Sequence, residues 1–250
     1  MNGGAGRLDL SCAAVLVLAM AMLTGCTRPP PAPTMSPYPV ARSLVVLPLL
    51  NHSGSSDFDA IRATDILVEE LSQVKGPGLV VLPTNRAMKI LLAHGQTHAT
   101  SIEQAMDIAS QLGVDGAVVG AVTAYDPYDP PRIGMVLQLF WVRADMKGQV
   151  TEPVRLSRSP SGEGPAYYAG AGPASQVQAM LDASDNEVVF RIQQFAKLHE
   201  GQDSSFGWRR YLVDSDSYMR FVCHELIADL MDVELHRITV PVRRSELMER

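Results

Sequence analysis

Cysteine is scarce in this chain: three among 250 residues, at Cys12, Cys26 and Cys223. Two fall near the start, so the body of the chain keeps Cys223 alone and cannot close an internal disulfide in any redox compartment. Charge is thin as well. Charged residues make up 19%, with 21 Lys and Arg against 27 Asp and Glu, for a net charge of -6. No cluster of Lys and Arg is available to neutralise phosphates, so no nucleic-acid partner is expected. The chain also lacks a GxSxG elbow, a phosphate-binding glycine loop and a dinucleotide fingerprint; Gly113, Gly116 and Gly120 are wrongly spaced for the last. What it does have is apolar content, 46%, enough for a real core.

The longest early apolar stretch runs from Leu10 to Leu23 and is followed by Thr24-Gly25-Cys26. It is shorter and richer in alanine than the about 20 residues of a membrane span. An uncharged core followed by small residues and a cysteine has the shape of a bacterial lipoprotein signal, with Arg7 as its single early cation. The expectation is cleavage between Gly25 and Cys26 and lipidation of Cys26. Residues 1–25 would then be the signal peptide, and the chain would work outside the cytoplasm. Thr27, rather than an aspartate, follows the cysteine. By resemblance to known lipoprotein sorting, this favours the outer membrane, with the protein facing the periplasm. Lipid with more than one acyl chain anchors a protein stably without any spanning helix.

Residues 26–42 form a proline-rich segment containing Pro29, Pro30, Pro31, Pro33, Pro37 and Pro39. Proline fixes its own φ and restricts the residue before it, so this segment reads as an extended tether. Thr27 to Val40 would reach ~40 Å. From residue 43 to 250 the pattern reads as a single domain. Leu44 to Pro48 is a short, continuously apolar strand. Asp57 is positioned to cap a helix with Phe58, Ile61, Asp65 and Val68 along one stripe, broadened by Leu67 and Leu71. Leu79 to Leu82 is a second strand, and Thr84 opens a helix carrying Ala87, Met88, Leu91 and Leu92. Ser101 and Gln104 make a capping box for the next helix, which Gly113 stops. Val114 to Tyr125 and Ile133 to Val142 read as an antiparallel hairpin across the stiff turn from Asp126 to Pro131. Residues 151–176, rich in Gly, Pro and Ser, read as an irregular excursion. Helices follow from Glu187 to His199 and from Asp216 or Ser217. The second has Met219, Val222, Leu226 and Leu230 on one side, with one more strand or an extended arm at residues 238–242. The fold class is α/β (α+β): a mixed sheet flanked by helices, in strand-helix-strand-helix-helix-hairpin order, then C-terminal helices.

Little in the chain resembles catalytic machinery. Ser72 and Lys75 have Ser-x-x-Lys spacing, but at the end of an amphipathic helix and without companion motifs. His94 and His98 are separated by the helix-breaking Gly95, and no HExxH or cysteine pair accompanies them. His224-Glu225 reads as a pair on the wet face of a helix. Asp126 and Asp129, flanked by prolines, read as turn-capping carboxylates rather than calcium ligands. Cys223, among apolar neighbours, reads as a buried, inert thiol. No enzyme activity, catalytic residue, cofactor or metal is therefore expected. Tyr125, Tyr128, Phe140 and Trp141 gather near the hairpin, and Tyr167 and Tyr168 lie in the excursion. Tyr128, Tyr167 and Tyr168 are the candidate partner contacts, because an aromatic on a loop is a ready anchor.

Leu47-Pro48-Leu49-Leu50-Asn51 after the first strand, and Gly113-Val114-Asp115-Gly116 leading into Val118-Val119-Gly120, resemble a family of bacterial periplasmic α/β domains. That family includes the curli-export lipoprotein CsgG, the amino-terminal domain of TolB and lipoprotein activators of penicillin-binding proteins. The resemblance covers residues 43–143 and implies a binding and assembly module with no catalytic residues to carry over. It departs from the curli-export channel, whose barrel needs two amphipathic hairpins per subunit. Residues 155–176, interrupted by Pro160, Gly162, Gly164, Pro165, Gly170, Gly172 and Pro173, do not read as one. No propeller repeat follows, as a full TolB architecture would require. The implied function is a lipid-anchored, non-catalytic adaptor that binds another envelope protein; the alternative is self-association as an oligomeric subunit of a secretion-type ring.

Overall fold

The computed structural model describes residues 33–142, 172–199 and 206–239. They build one mixed sheet of six strands with helices on both faces, the expected fold class. The strands are β1 (Arg42–Val46), β2 (Leu50–Asn51), β3 (Leu79–Leu82), β4 (Gly116–Asp126), β5 (Arg132–Trp141) and β6 (Ser175–Asp182). The order across the sheet is β3-β1-β4-β5-β6, with β2 also pairing with β4. β1 runs parallel to β3 and β4, with Leu44 opposite Val81 and Gly116. β4 with β5, and β5 with β6, are antiparallel.

The helices are α1 (Ala60–Ser72), α2 (Thr84–Ala93), α3 (Ile102–Gln111), α4 (Asn186–His199), α5 (Arg210–Val213) and α6 (Ser215–Thr239). β1 shows why its sequence is continuously apolar. Leu44 and Val46 enter the core that includes α1, α4 and α6. Val45 and Leu47 enter a smaller core under α2 and α3. Both faces are buried, so no polar residue alternates.

Several starts and stops follow local chemistry. Ser101 accepts from the Gln104 amide and caps α3, while Gln104 reaches back to the amide of Thr100. Gly113 adopts φ 69° just after the helix, a conformation that costs glycine least.

Other expectations are corrected. The cap of α1 is Asp59, whose carboxylate accepts from the Arg62 amide; Asp57 stands outside the helix. Its buried face is Ala63, Thr64, Ile66, Leu67, Glu70 and Leu71, whereas Ile61 and Asp65 face solvent. Pro83, not Thr84, holds the N-cap position of α2, and Thr84 is buried inside its first turn. The excursion stops short of Ser175, where β6 begins. Its alternating burial is the period of a strand with one covered face. Residues 151–171, including Tyr167 and Tyr168, lie outside the described residues. The strand or arm expected at residues 238–242 is instead helix as far as Thr239, and the rest of that stretch lies outside the described residues.

The proline-rich segment also differs from a free tether over its described part. Met35 bridges to Lys75, and Tyr38 is only 2% exposed. The Tyr38 ring stands edge-on to Trp141 at 5.3 Å. Its hydroxyl donates to Glu234 Oε2 at 2.9 Å, and burial together with that carboxylate pushes the phenol pKa up. Glu234, fully buried, also accepts from Ser175 at the start of β6 and from Arg237 at 2.8 and 2.6 Å. A desolvated carboxylate needs such donors, and here they come from three separate stretches of chain.

Two substitutions test this packing. A Cβ on Gly116 would stand 2.6 Å from the Phe140 carbonyl oxygen and 2.9 Å from Trp141 Cε3. Gly116→Ala should therefore cost about 1–3 kcal/mol in urea unfolding. Arg237→Ala leaves the buried Glu234 without its cation and should cost about 3–5 kcal/mol in the same measurement.

Candidate functional site

Among the described residues, α2 and α3 cover β1 and the start of β4 on one face of the sheet and leave its far side open. In-register pairing puts Ala121, Val136 and Gln178 side by side, and Val119, Gln138 and Gln176 beside them. With Leu50 on β2, His52 just beyond it and Met180 on β6, these side chains line a shallow groove of about 450 Å³. Gln138 donates to Gln176 across the strands at 2.7 Å, which sets an amide pair among Val119, Ala121, Met135 and Val136. Among the described residues, no Asp, Glu, Lys or Arg contributes to the lining. Gly134 keeps the floor low, because a Cβ there would meet Met180 Cε at 2.7 Å and Thr123 Oγ1 at 2.8 Å.

Of the aromatic candidates, Tyr128 is 72% exposed in the β4–β5 turn, where its amide donates to Asp126 Oδ1 at 3.3 Å. It does not line the groove. Tyr125 packs against Phe58 at 5.2 Å, and Phe140 and Trp141 are buried. These three serve the interior. Cys26 lies outside the described residues. Among the described residues, no helix is long and apolar enough to cross a membrane.

The structure does not assemble the Ser-x-x-Lys pattern into a reactive pair. The Ser72 hydroxyl donates to the Val68 carbonyl at 2.7 Å, and the Lys75 amide joins the Thr34 carbonyl. Cys223 is fully buried, and burial pushes its thiol pKa up, against thiolate reactivity. His94 Nδ1 sits 2.8 Å from the Ile90 carbonyl, while His98 is beside Thr97. These two histidines are not brought to a shared site.

His224 is where the sequence reading fails. It does not sit on a wet face with Glu225. Glu225 turns to Arg191, whose Nε lies 2.6 Å away, while His224 turns inward toward Glu70. One donor atom each from Glu70, His199 and His224 lies within 4.8 Å of the others. These groups come from α1, α4 and α6. No spacing rule could have paired them, and a charged residue such as Glu70 reads from sequence as solvent-facing.

The chain matches no family model and no curated protein. Among solved structures it is similar to the PelC dodecamer from Paraburkholderia phytofirmans, at 13% identity over 80% of this chain and 90% of that chain, TM-score 0.35. It is similar to the lipoprotein GNA1162 from Neisseria meningitidis at 20% identity over 41% and 71%, TM-score 0.32. The third is the LpoB C-terminal domain from Salmonella enterica, at 16% identity over 52% and 84%, TM-score 0.35. At such identities and scores, none of the three says what this chain does.

Proposed function

We propose that this chain is a lipid-anchored envelope protein, held by Cys26 in the outer membrane and facing the periplasm, and that it works as a non-catalytic binding module for another envelope protein. The observation that carries the binding part is the uncharged groove on the open side of the sheet. Apolar side chains (Leu50, Ala121, Val136, Met180) flank the amides of Gln138, Gln176 and Gln178. This chemistry suits a neutral polypeptide segment: methyl and methylene groups bury apolar area, while the amides exchange hydrogen bonds with backbone groups. Charged ligands would lose solvation there without gaining a counter-ion. The anchor part rests on residues 10–26, and the non-catalytic part on the sequence, which carries no nucleophile elbow, phosphate loop or dinucleotide fingerprint.

The anchor and the groove are tested separately. Radiolabelled palmitate should enter the full chain and not Cys26→Ser, which should also leave the membrane fraction; unchanged retention would remove the anchor. A photo-crosslinker at Gln176 in living cells should give one discrete adduct, which Gln178→Arg suppresses while leaving stability within about 0.5 kcal/mol. An adduct insensitive to Gln178→Arg would count against the groove. Sedimentation of the purified chain in detergent as a stable multimer would favour the ring-subunit alternative over the adaptor.

A further inference from the structure

Glu70 has a side chain only 1% exposed, yet its two oxygens are used very differently. Oε1 accepts from Arg220 at 2.8 Å and from Gln73 at 3.2 Å. Oε2 is buried and has no hydrogen-bond donor among the described residues; it faces His224 Nδ1 at 3.8 Å. A sealed anionic oxygen without a donor is rare in folded proteins and calls for an explanation. At 3.8 Å the imidazole is too far for a hydrogen bond but near enough to share a third atom between them.

The third member is prepared for that role. His199, the last residue of α4, places Nδ1 3.0 Å from the Phe195 carbonyl. A carbonyl only accepts, so this contact puts the proton on Nδ1 and leaves Nε2 with a bare lone pair. Orientation of a ligating histidine through its other nitrogen is the usual support of a metal site. Phe195 also packs against both rings at a tilt, with centroids 4.1 Å from His199 and 4.8 Å from His224. The two imidazoles meet edge to face at 5.2 Å.

From these positions we propose that Glu70, His199 and His224 bind a divalent transition metal ion of the zinc class, fastening the end of α4 to α1 and α6. Two imidazoles and a carboxylate are a donor set that zinc accepts, with a fourth position left for water. Donors on a tetrahedral zinc stand about 3.3–3.6 Å apart. The present separations need a small contraction, and exposed His199 is the member freest to supply it. The charge is favourable. Arg220 is shared between Glu69 and Glu70, so two carboxylates outweigh one guanidinium before any cation arrives.

The test uses the full chain, purified without a histidine tag in mild detergent and titrated with zinc chloride. One ion should bind per chain, and His199→Ala and His224→Ala should each weaken binding at least about tenfold. Zinc should raise the melting temperature of the parent chain by several degrees and leave that of His199→Ala unmoved. Cobalt in place of zinc should give the visible absorption of a tetrahedral ion. His199→Ala is the decisive variant, because an exposed side chain can be removed without threatening the fold. His94→Ala/His98→Ala is the control for the other histidines. Absence of stoichiometric binding, binding unchanged in His199→Ala, or binding lost only in the control would each overturn the proposal.

Discussion

Two carboxylates sealed against the long helix α6 organise much of this molecule. An ion taken out of water must be paired or it destabilises the fold, and each of these carboxylates recruits its partners from distant chain. Glu234 gathers Tyr38, Ser175 and Arg237. The proline-rich segment, the start of β6 and the end of α6 thereby meet at one point. Glu70 gathers Arg220 across the α1–α6 contact. Burial pushes its carboxyl pKa up, but His224 and Arg220 outweigh that and hold it below its ordinary value. At its distance from Oε2, His224 is the weaker of the two contacts.

The same helix creates the asymmetry on which the binding reading rests. α6 packs against β5 and β6 on one face of the sheet, and its side chains from Tyr218 to Met231 join the larger core there. Among the described residues, the opposite face is covered near β1, by α2 and α3. The remaining strands offer a groove with no Asp, Glu, Lys or Arg among the described residues of its lining. A sheet buried on one side and open on the other is a rigid platform whose outward side chains can be varied with little cost to the fold. The described part of the proline-rich segment is docked on this fold, Met35 by its bridge to Lys75 and Tyr38 by burial.

Much of the architecture was legible in the amino-acid order because local physics sets it. The apolar run of β1, the cap at Ser101, the stop at Gly113 and the stripe Met219, Val222, Leu226 and Leu230 all report neighbours within a few residues. The misreadings have a common origin. Asp57 and Asp59 are equally good caps by type, and only the backbone extended at Asp59 selects it. β6 escapes a reading that carries the irregular excursion to residue 176, because Gln176 and Gln178 make its open face polar, although its alternation is there to be read. Residues 238–242 look like a strand by composition, yet the helix runs on to Thr239, past the buried Glu234 that Tyr38, Ser175 and Arg237 hold.

By itself, the sequence determined the α/β class, the element order as far as the hairpin and the expectation of a lipid anchor at Cys26, because each rests on periodicity or on a short contiguous motif. Only the tertiary structure decided that Tyr38 belongs to the core, that β6 completes the sheet and that Glu70, His199 and His224 converge. Each of those depends on contacts between segments far apart in the chain. A buried carboxylate and an exposed one have the same letter, and only the neighbours that folding supplies tell them apart.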